Sequence, residues 1–308
     1  MTANPLFYSA IFTVFVLAMI ALDLSIFHRR AHSINMKEAV GWSIFWIALA
    51  LIFNIGIYFT LGLEPALNFL AGFLLEKALS VDNLFVFLLI FSYFRVPKIY
   101  THQVLYWGIL GALVMRALFI VGGIAIVDRF NWVLYLFGIF LIFAGIKLAL
   151  EKDKEIHPER NLFLKIFKKI MPVTDQYHGK KLLIKERGKI FATPLFVVLI
   201  AIESTDIIFA MDSIPAIFAI TLDPFIVYTS NVFAILGLRA LYFVLEGSLQ
   251  LFHHLHYGLA FILVFIGFKM LVKDVLPISI VITLSIICIT LIISILTSIQ
   301  YPKSNKLT

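Results

Sequence analysis

Charged side chains are scarce: 14% of the 308 residues are Asp, Glu, Lys or Arg, where a soluble domain carries roughly 25%. The longest polar stretch, residues 151–190, is too short to bury a core of its own, which excludes a catalytic domain in water. Cysteine is nearly absent. Cys288 stands alone inside an apolar run, so no intrachain disulfide can form. What is abundant is apolar surface, at 62% of residues. Segments of about 20 apolar residues are long enough to cross a hydrocarbon layer of roughly 30 Å. The expected fold class is therefore all-α, a polytopic transmembrane helical bundle of about nine spans.

The spans are expected near 7–27, 41–62, 66–92, 103–127, 131–150, 193–221, 225–247, 253–272 and 276–299. Pro65, Pro97, Pro194, Pro224 and Pro277 fall at or just outside their ends, where helices start or stop. The net charge of +7 follows the membrane and does not point to nucleic acid. Segments 28–40, 93–102, 151–190, 248–252 and the tail hold 18 of the 25 Lys and Arg, while the opposite side holds Arg129 and Lys273. The positive-inside rule then places the N-terminus outside and the C-terminus in the cytoplasm. The first span lacks a basic leader and contains Asp23, so it is expected to be an uncleaved helix and not a signal peptide.

The chain also repeats itself. EKALSVDN at 76–83 matches DIIFAMDS at 206–213, each with an acid six residues before an aspartate that precedes a small polar residue. RALFI at 116–120 corresponds to RALYF at 239–243, and AGIKL at 144–148 to IGFKM at 266–270. Each unit has three spans, an odd number, so the second enters the membrane from the opposite side. The expected organisation is two N-terminal helices (1–65), a first three-helix repeat (66–150), a basic cytoplasmic loop (151–192), a second, inverted repeat (193–272) and a last helix with a short tail (273–308). Secondary transporters are commonly built this way, with the site near the midplane where the halves meet.

An ionised group at the bilayer centre costs from roughly 3 to over 10 kcal/mol. Glu76, Asp82, Glu203, Asp206, Asp212, Arg116 and Arg239 all lie well inside spans. A structural ion-pair network is the simplest account; the repeat favours an ion site, because it would gather the paired acids in one place. On a helix, Glu76 and Asp82 point about 120° apart and are separated by about 9 Å along the axis. They cannot grip one ion from an ideal helix, so either each helix is interrupted or one acid of each pair stands behind the other. Pro215 argues for interruption in the second half, since it leaves the Met211 carbonyl without a donor beside Asp212; Phe85 stands at the equivalent place in the first half. Glu203 and Asp206, three apart, share a face. With Asn83 and Ser213 these groups form a hard-oxygen set without thiolate, suited to Mn²⁺, Mg²⁺ or Ca²⁺. The arginines would neutralise the acids or hold the repeats in register. Lys147 and Lys269 are expected to snorkel to the interface. The partner of Lys77 is open, and Asp23 is either a cavity group or a partner of the arginines.

Two peripheral features stand out. His253, His254 and His256 cluster at the entrance to the eighth span, as interfacial histidines or as a pH- or metal-sensing group. Residues 161–171 place Leu162, Phe163, Ile166, Phe167 and Ile170 at helical spacing beside Lys165, Lys168 and Lys169, the pattern of an amphipathic helix on the membrane face.

At EKALSVDN (76–83), ATPLFVVLIAIESTDIIFAMDSIPAIFAIT (192–221) and SNVFAILGLRALYF (230–243) the sequence resembles the TerC integral-membrane family, and the likeness extends over most of residues 7–272. The resemblance implies a multi-spanning protein linked to tellurite resistance and, in several members, to Mn²⁺ export. The family's acidic positions match at Glu76, Asp82, Asn83, Glu203, Asp206, Asp212 and Ser213. The chain shows no long transit extension of the chloroplast kind, which fits a bacterial plasma membrane. The expected function is export of a divalent cation, Mn²⁺ by preference, by alternating access in exchange for protons. No resident cofactor and no enzymatic activity are expected. The partners would be the metal ion, protons, the lipid bilayer and membrane-complex proteins reached through residues 151–190. Two rivals are a scaffold in a tellurite-resistance complex and a metal-dependent intramembrane hydrolase.

Overall fold

A computed structural model describes residues 36–150, 161–186, 188–247 and 255–300, together with Phe12, Val14, Val16 and Met19. Among these residues the chain forms ten helices and one small hairpin. The helices are α1 (Met36–Leu61), α2 (Leu63–Tyr93), α3 (Lys98–Arg129), α4 (Val133–Leu150), α5 (Leu162–Ile170), α6 (Pro194–Phe218), α7 (Pro224–Leu236), α8 (Leu238–Gly247), α9 (Leu255–Val272) and α10 (Ile280–Gln300). Strands β1 (Leu183–Glu186) and β2 (Lys189–Ala192) pair antiparallel, Leu183 opposite Ala192.

Local chemistry sets the boundaries. Gly62 adopts a φ of 98°, a left-handed conformation that lets α1 turn into α2 within one residue. Pro194 and Pro224 open α6 and α7, where a missing N–H costs nothing, and Asp223 caps α7 by accepting from the Phe225 and Ile226 amides at 2.9 and 3.2 Å.

Among the described residues six helices, α1, α3, α4, α6, α9 and α10, are long and apolar enough to cross a membrane; α7 and α8 make a seventh if their bent pair is one span. Helix α2 is about 46 Å long, but Glu64, Glu76, Lys77 and Asp82 make it too charged to count on composition alone. The expected 7–27 span, and Asp23 in it, lie outside the described residues apart from Phe12, Val14, Val16 and Met19, which are helical.

The structure decides between two alternatives that the sequence left open and adds detail to the basic loop. Neither motif helix is interrupted: α2 is continuous, and α6 runs through Pro215 to Phe218. Pro215 still gives the Met211 carbonyl no N–H, yet the flanking turns carry on. The break falls instead at Gly237, where α7 and α8 meet at 42° inside the expected 225–247 span. Within the expected 151–192 loop the amphipathic helix is present as α5, and with the β1–β2 hairpin the described residues form a folded cap. Tyr177 donates its hydroxyl to the Phe94 carbonyl (2.8 Å), Gln103 donates to the Lys180 carbonyl (2.6 Å), and Thr193 to that of Lys181 (2.8 Å). The cap is thereby tied to the end of α2 and the starts of α3 and α6.

Packing between membrane helices rests on close fit and not on the hydrophobic effect, since lipid is as apolar as leucine. Helix α4 meets α9 through glycine: a Cβ on Gly267 would lie 2.6 Å from the Gly138 carbonyl oxygen, and one on Gly145 would lie 2.7 Å from that of Ala260. Helix α2 packs on α7, α3 on α6, and α2 on α6. A second, aromatic-rich cluster gathers Phe12, Phe53, Phe69, Phe73 and Phe233 beside the α1–α2 pair.

Candidate functional site

Four helices converge on Arg116, which is 1% exposed in the middle of α3. Its Nη1 donates to the Glu76 carboxylate of α2 and, at 3.0 Å, to Asn231 Oδ1 of α7; Nη2 stands 3.8 Å from Asp206 Oδ1 of α6. Asn231 is aimed by its own amide, which donates to the Val227 carbonyl one turn earlier at 2.9 Å. The sequence dictates this convergence in part: an isolated charge cannot stay in the bilayer, and a planar guanidinium can serve several oxygens from different helices.

Two carboxylates against one guanidinium leave a formal charge of −1 when all are ionised. Asp206 Oδ2 is buried with no hydrogen-bond partner, and the same holds for the hydroxyls of Ser80 and Ser213 and for Nε and Nη2 of Arg116 itself. Unpartnered buried oxygens are rare in native folds and call for an explanation. Helical geometry aligns them. Glu76, Ser80 and Asn83 fall on one face of α2, as do Asp206 and Ser213 on α6, because an offset of seven residues returns to within about 20° of the starting direction. All five are buried.

Asp82 and Asp212 belong to a different layer. Both are half-buried, and Asp212 lies within electrostatic reach of Asp82 and of Lys147 on α4. The 120° offset expected between the acids of each motif is thus present, with two layers in place of one shared centre. Lys147, expected only to snorkel, is exposed but sends its charge toward Asp212. Glu203 is half-buried, close enough to Asp206 to feel its charge, and packed against Gly111 of α3 so tightly that a Cβ there would land on its carboxylate. Met211 is 50% exposed. Among the described residues, no three His, Cys, Asp or Glu side chains converge as a closed metal site would require.

The open question about Lys77 has an answer. Its ammonium donates to the Ala234 carbonyl at 3.1 Å, at the end of α7, and lies against Gly237 where α7 breaks. A cation at a helix C-terminus meets the negative end of the dipole. Arg239 is buried on α8, two residues beyond the break. His256 stacks on Tyr257, while His253 and His254, like Asp23, lie outside the described residues.

Sequence reasoning missed Asn231, Ser80 and Gly111. Asn231 had a signal: Thr229, Ser230 and Asn231 are three consecutive polar residues in an otherwise apolar helix, and all are buried. Ser80 had one too, a turn beyond Glu76 on the same face.

Comparison with known proteins agrees with this architecture. A family model described as the integral membrane protein TerC family matches residues 61–306. The membrane protein STKORF319 of Myxococcus xanthus, named as uncharacterized, is 49% identical over 96% of this chain and 93% of its own length. Alx of Salmonella typhi, provisionally named a membrane-bound redox modulator, is 45% identical over 99% of this chain and 98% of its own. An uncharacterized membrane protein of Rickettsia felis is 41% identical over 93% and 96%. No solved structure matches the chain.

Proposed function

Because the chain belongs to the TerC family of integral membrane proteins, we propose that it exports a divalent cation, Mn²⁺ by preference, across a bacterial inner membrane by alternating access. It works as a transporter and not as an enzyme. The observation that carries this reading is the charge deficit beside Arg116, together with the unpartnered Asp206 Oδ2. A buried network that served packing alone would balance its charges and satisfy its oxygens.

The oxygens of Asp82 and Asp212 offer hard donors to the ion from the half-buried layer, with Met211 offering a carbonyl that lacks its helical donor, and Asn83 and Ser213 add neutral oxygens on the buried face. Glu76, Asp206 and Glu203 supply further carboxylates on the buried side, where Arg116 holds α2, α3, α6 and α7 together and gives up a carboxylate when a cation takes its place. The inverted repeat supports a rocking motion. Helix α2 packs on α7 as α3 packs on α6, and α4 meets α9 directly, which is the pairing that two related three-helix units would make.

Moving two charges outward against an inside-negative potential costs about 4.6 kcal/mol per 100 mV. Clustered carboxylates titrate as a coupled set and can release two protons for one metal ion, so proton exchange is the counter-movement. The N-terminus lies outside and the C-terminus in the cytoplasm. A redox role of the kind in Alx's name cannot run through an intrachain dithiol here, since Cys288 is the one cysteine.

Transport of a panel of divalent ions in sealed vesicles, at two values of the pH gradient, tests the proposal. Mn²⁺ flux that scales with the gradient supports it. Absence of flux for every ion, with protein partners recovered on the 161–192 cap, would favour the scaffold.

A further inference from the structure

Helix α5 is pinned to α6 at both ends. Asn161 caps it, accepting from the Phe163 and Leu164 amides at 2.9 and 3.3 Å, and donates its own amide to Ser204 Oγ at 2.8 Å. Near the other end Phe167 meets Phe196 edge-to-face at 5.3 Å, and between them Leu164 is 3% exposed. Phe196 and Ser204 are eight residues apart, about 12 Å along α6. Helix α5 therefore runs antiparallel to α6, its first turn level with Ser204 and its last near the point where α6 begins.

The remaining surface of α5 is exposed among the described residues. Leu162, Ile166 and Ile170, spaced four apart, form a stripe about 12 Å long, and they are 66%, 48% and 78% exposed. Lys165 and Lys169, four apart, border it along one edge, while Lys168 points about 160° from its centre; all three are exposed. Lys168 and Lys169 sit at the end where α6 starts, the membrane surface for a spanning α6, and Leu162 sits at the deeper end. The rest of the cap adds exposed Lys180, Lys181, Lys185 and Lys189, against Asp175 and Glu186 as the acids among its described residues.

An apolar stripe that runs inward from a cluster of ammonium groups has the dimensions and polarity of a phospholipid. We propose that α5 is a binding site for an anionic phospholipid, with an acyl chain along Leu162, Ile166 and Ile170 and the phosphate on Lys165 and Lys169. A zwitterionic lipid presents a compensating cation, which the lysine excess does not favour. This inference rests on α6 spanning the bilayer and is independent of which ion, if any, the protein moves.

Native mass spectrometry of the full-length protein, titrated with phosphatidylglycerol or phosphatidylcholine, reads the proposal directly. Retention of phosphatidylglycerol should exceed that of phosphatidylcholine by about tenfold, fall as ionic strength rises, and drop to parity in the K165Q/K168Q/K169Q variant. These side chains are exposed, so the variant keeps its fold, which its melting temperature verifies. The salt dependence is a second readout on unmodified protein. Equal retention of the two lipids means annular lipid only and overturns the proposal. A preference that survives in the triple variant places the lipid elsewhere and also overturns it. Hydrogen-exchange protection of α5 that requires a bound protein, whatever the lipid, does the same.

Discussion

The two motif helices carry their acids in two layers that differ in almost every physical respect. Glu76 and Asp206 are buried, share a guanidinium with Asn231 and join four helices. Asp82 and Asp212 are half-buried and within electrostatic reach of each other, and Asp212 has Lys147 within reach as well. One six-residue spacing, read on an unbroken helix, makes both layers at once. Residues that look equivalent in sequence are thus divided between a buried layer that joins four helices and a half-buried layer beside it.

Removing the guanidinium attacks the buried layer hardest. Arg116→Met leaves Glu76 and Asp206 buried without a counter-charge, and should cost about 3–5 kcal/mol, seen as a collapse in yield and in thermal stability in detergent. Asn231→Ala removes one bond to the charged guanidinium and should cost about 1.5–3 kcal/mol on the same assay. Gly111→Ala pushes a methyl group into the Glu203 carboxylate; about 1–3 kcal/mol is expected for this overpacking, with Mn²⁺ binding weakened because the acid must move. The smallest effect belongs to the other layer. Lys147→Met should change stability by under about 1 kcal/mol, since the ammonium is exposed, while tightening Mn²⁺ binding by withdrawing a competing charge from Asp212. A large stability loss in the lysine variant, or none in the arginine variant, would erase the distinction between the layers.

Much of this was legible beforehand. The polytopic helical bundle followed from apolar length, though not its number of spans, and the 120° offset between Glu76 and Asp82 followed from helix geometry alone. The location of the break did not. Pro215 is a strong breaker in water, but in a packed membrane bundle the turns around it are held by neighbours, and α6 continues. Gly237 carries a weaker signal, and its break depends on Lys77 arriving from α2 to meet the Ala234 carbonyl, a partnership between residues 157 positions apart. No local pattern encodes such a contact. The hairpin of the cap went unread for a different reason. Lys185, Glu186, Arg187 and Lys189 fall together in residues 183–192 and read as solvated loop, although Gly188 between two short apolar segments was an available hairpin signal.

The division of labour can be tested most directly by Mn²⁺ titration of the purified protein carrying Asp82→Asn and Asp212→Asn together, with its melting temperature recorded alongside. The account predicts that Mn²⁺ binding falls by about a hundredfold or more, as expected when hard anionic oxygens are withdrawn from the site, while the melting temperature stays within a few degrees of the unmodified protein. Unchanged Mn²⁺ affinity in a folded double variant would contradict it.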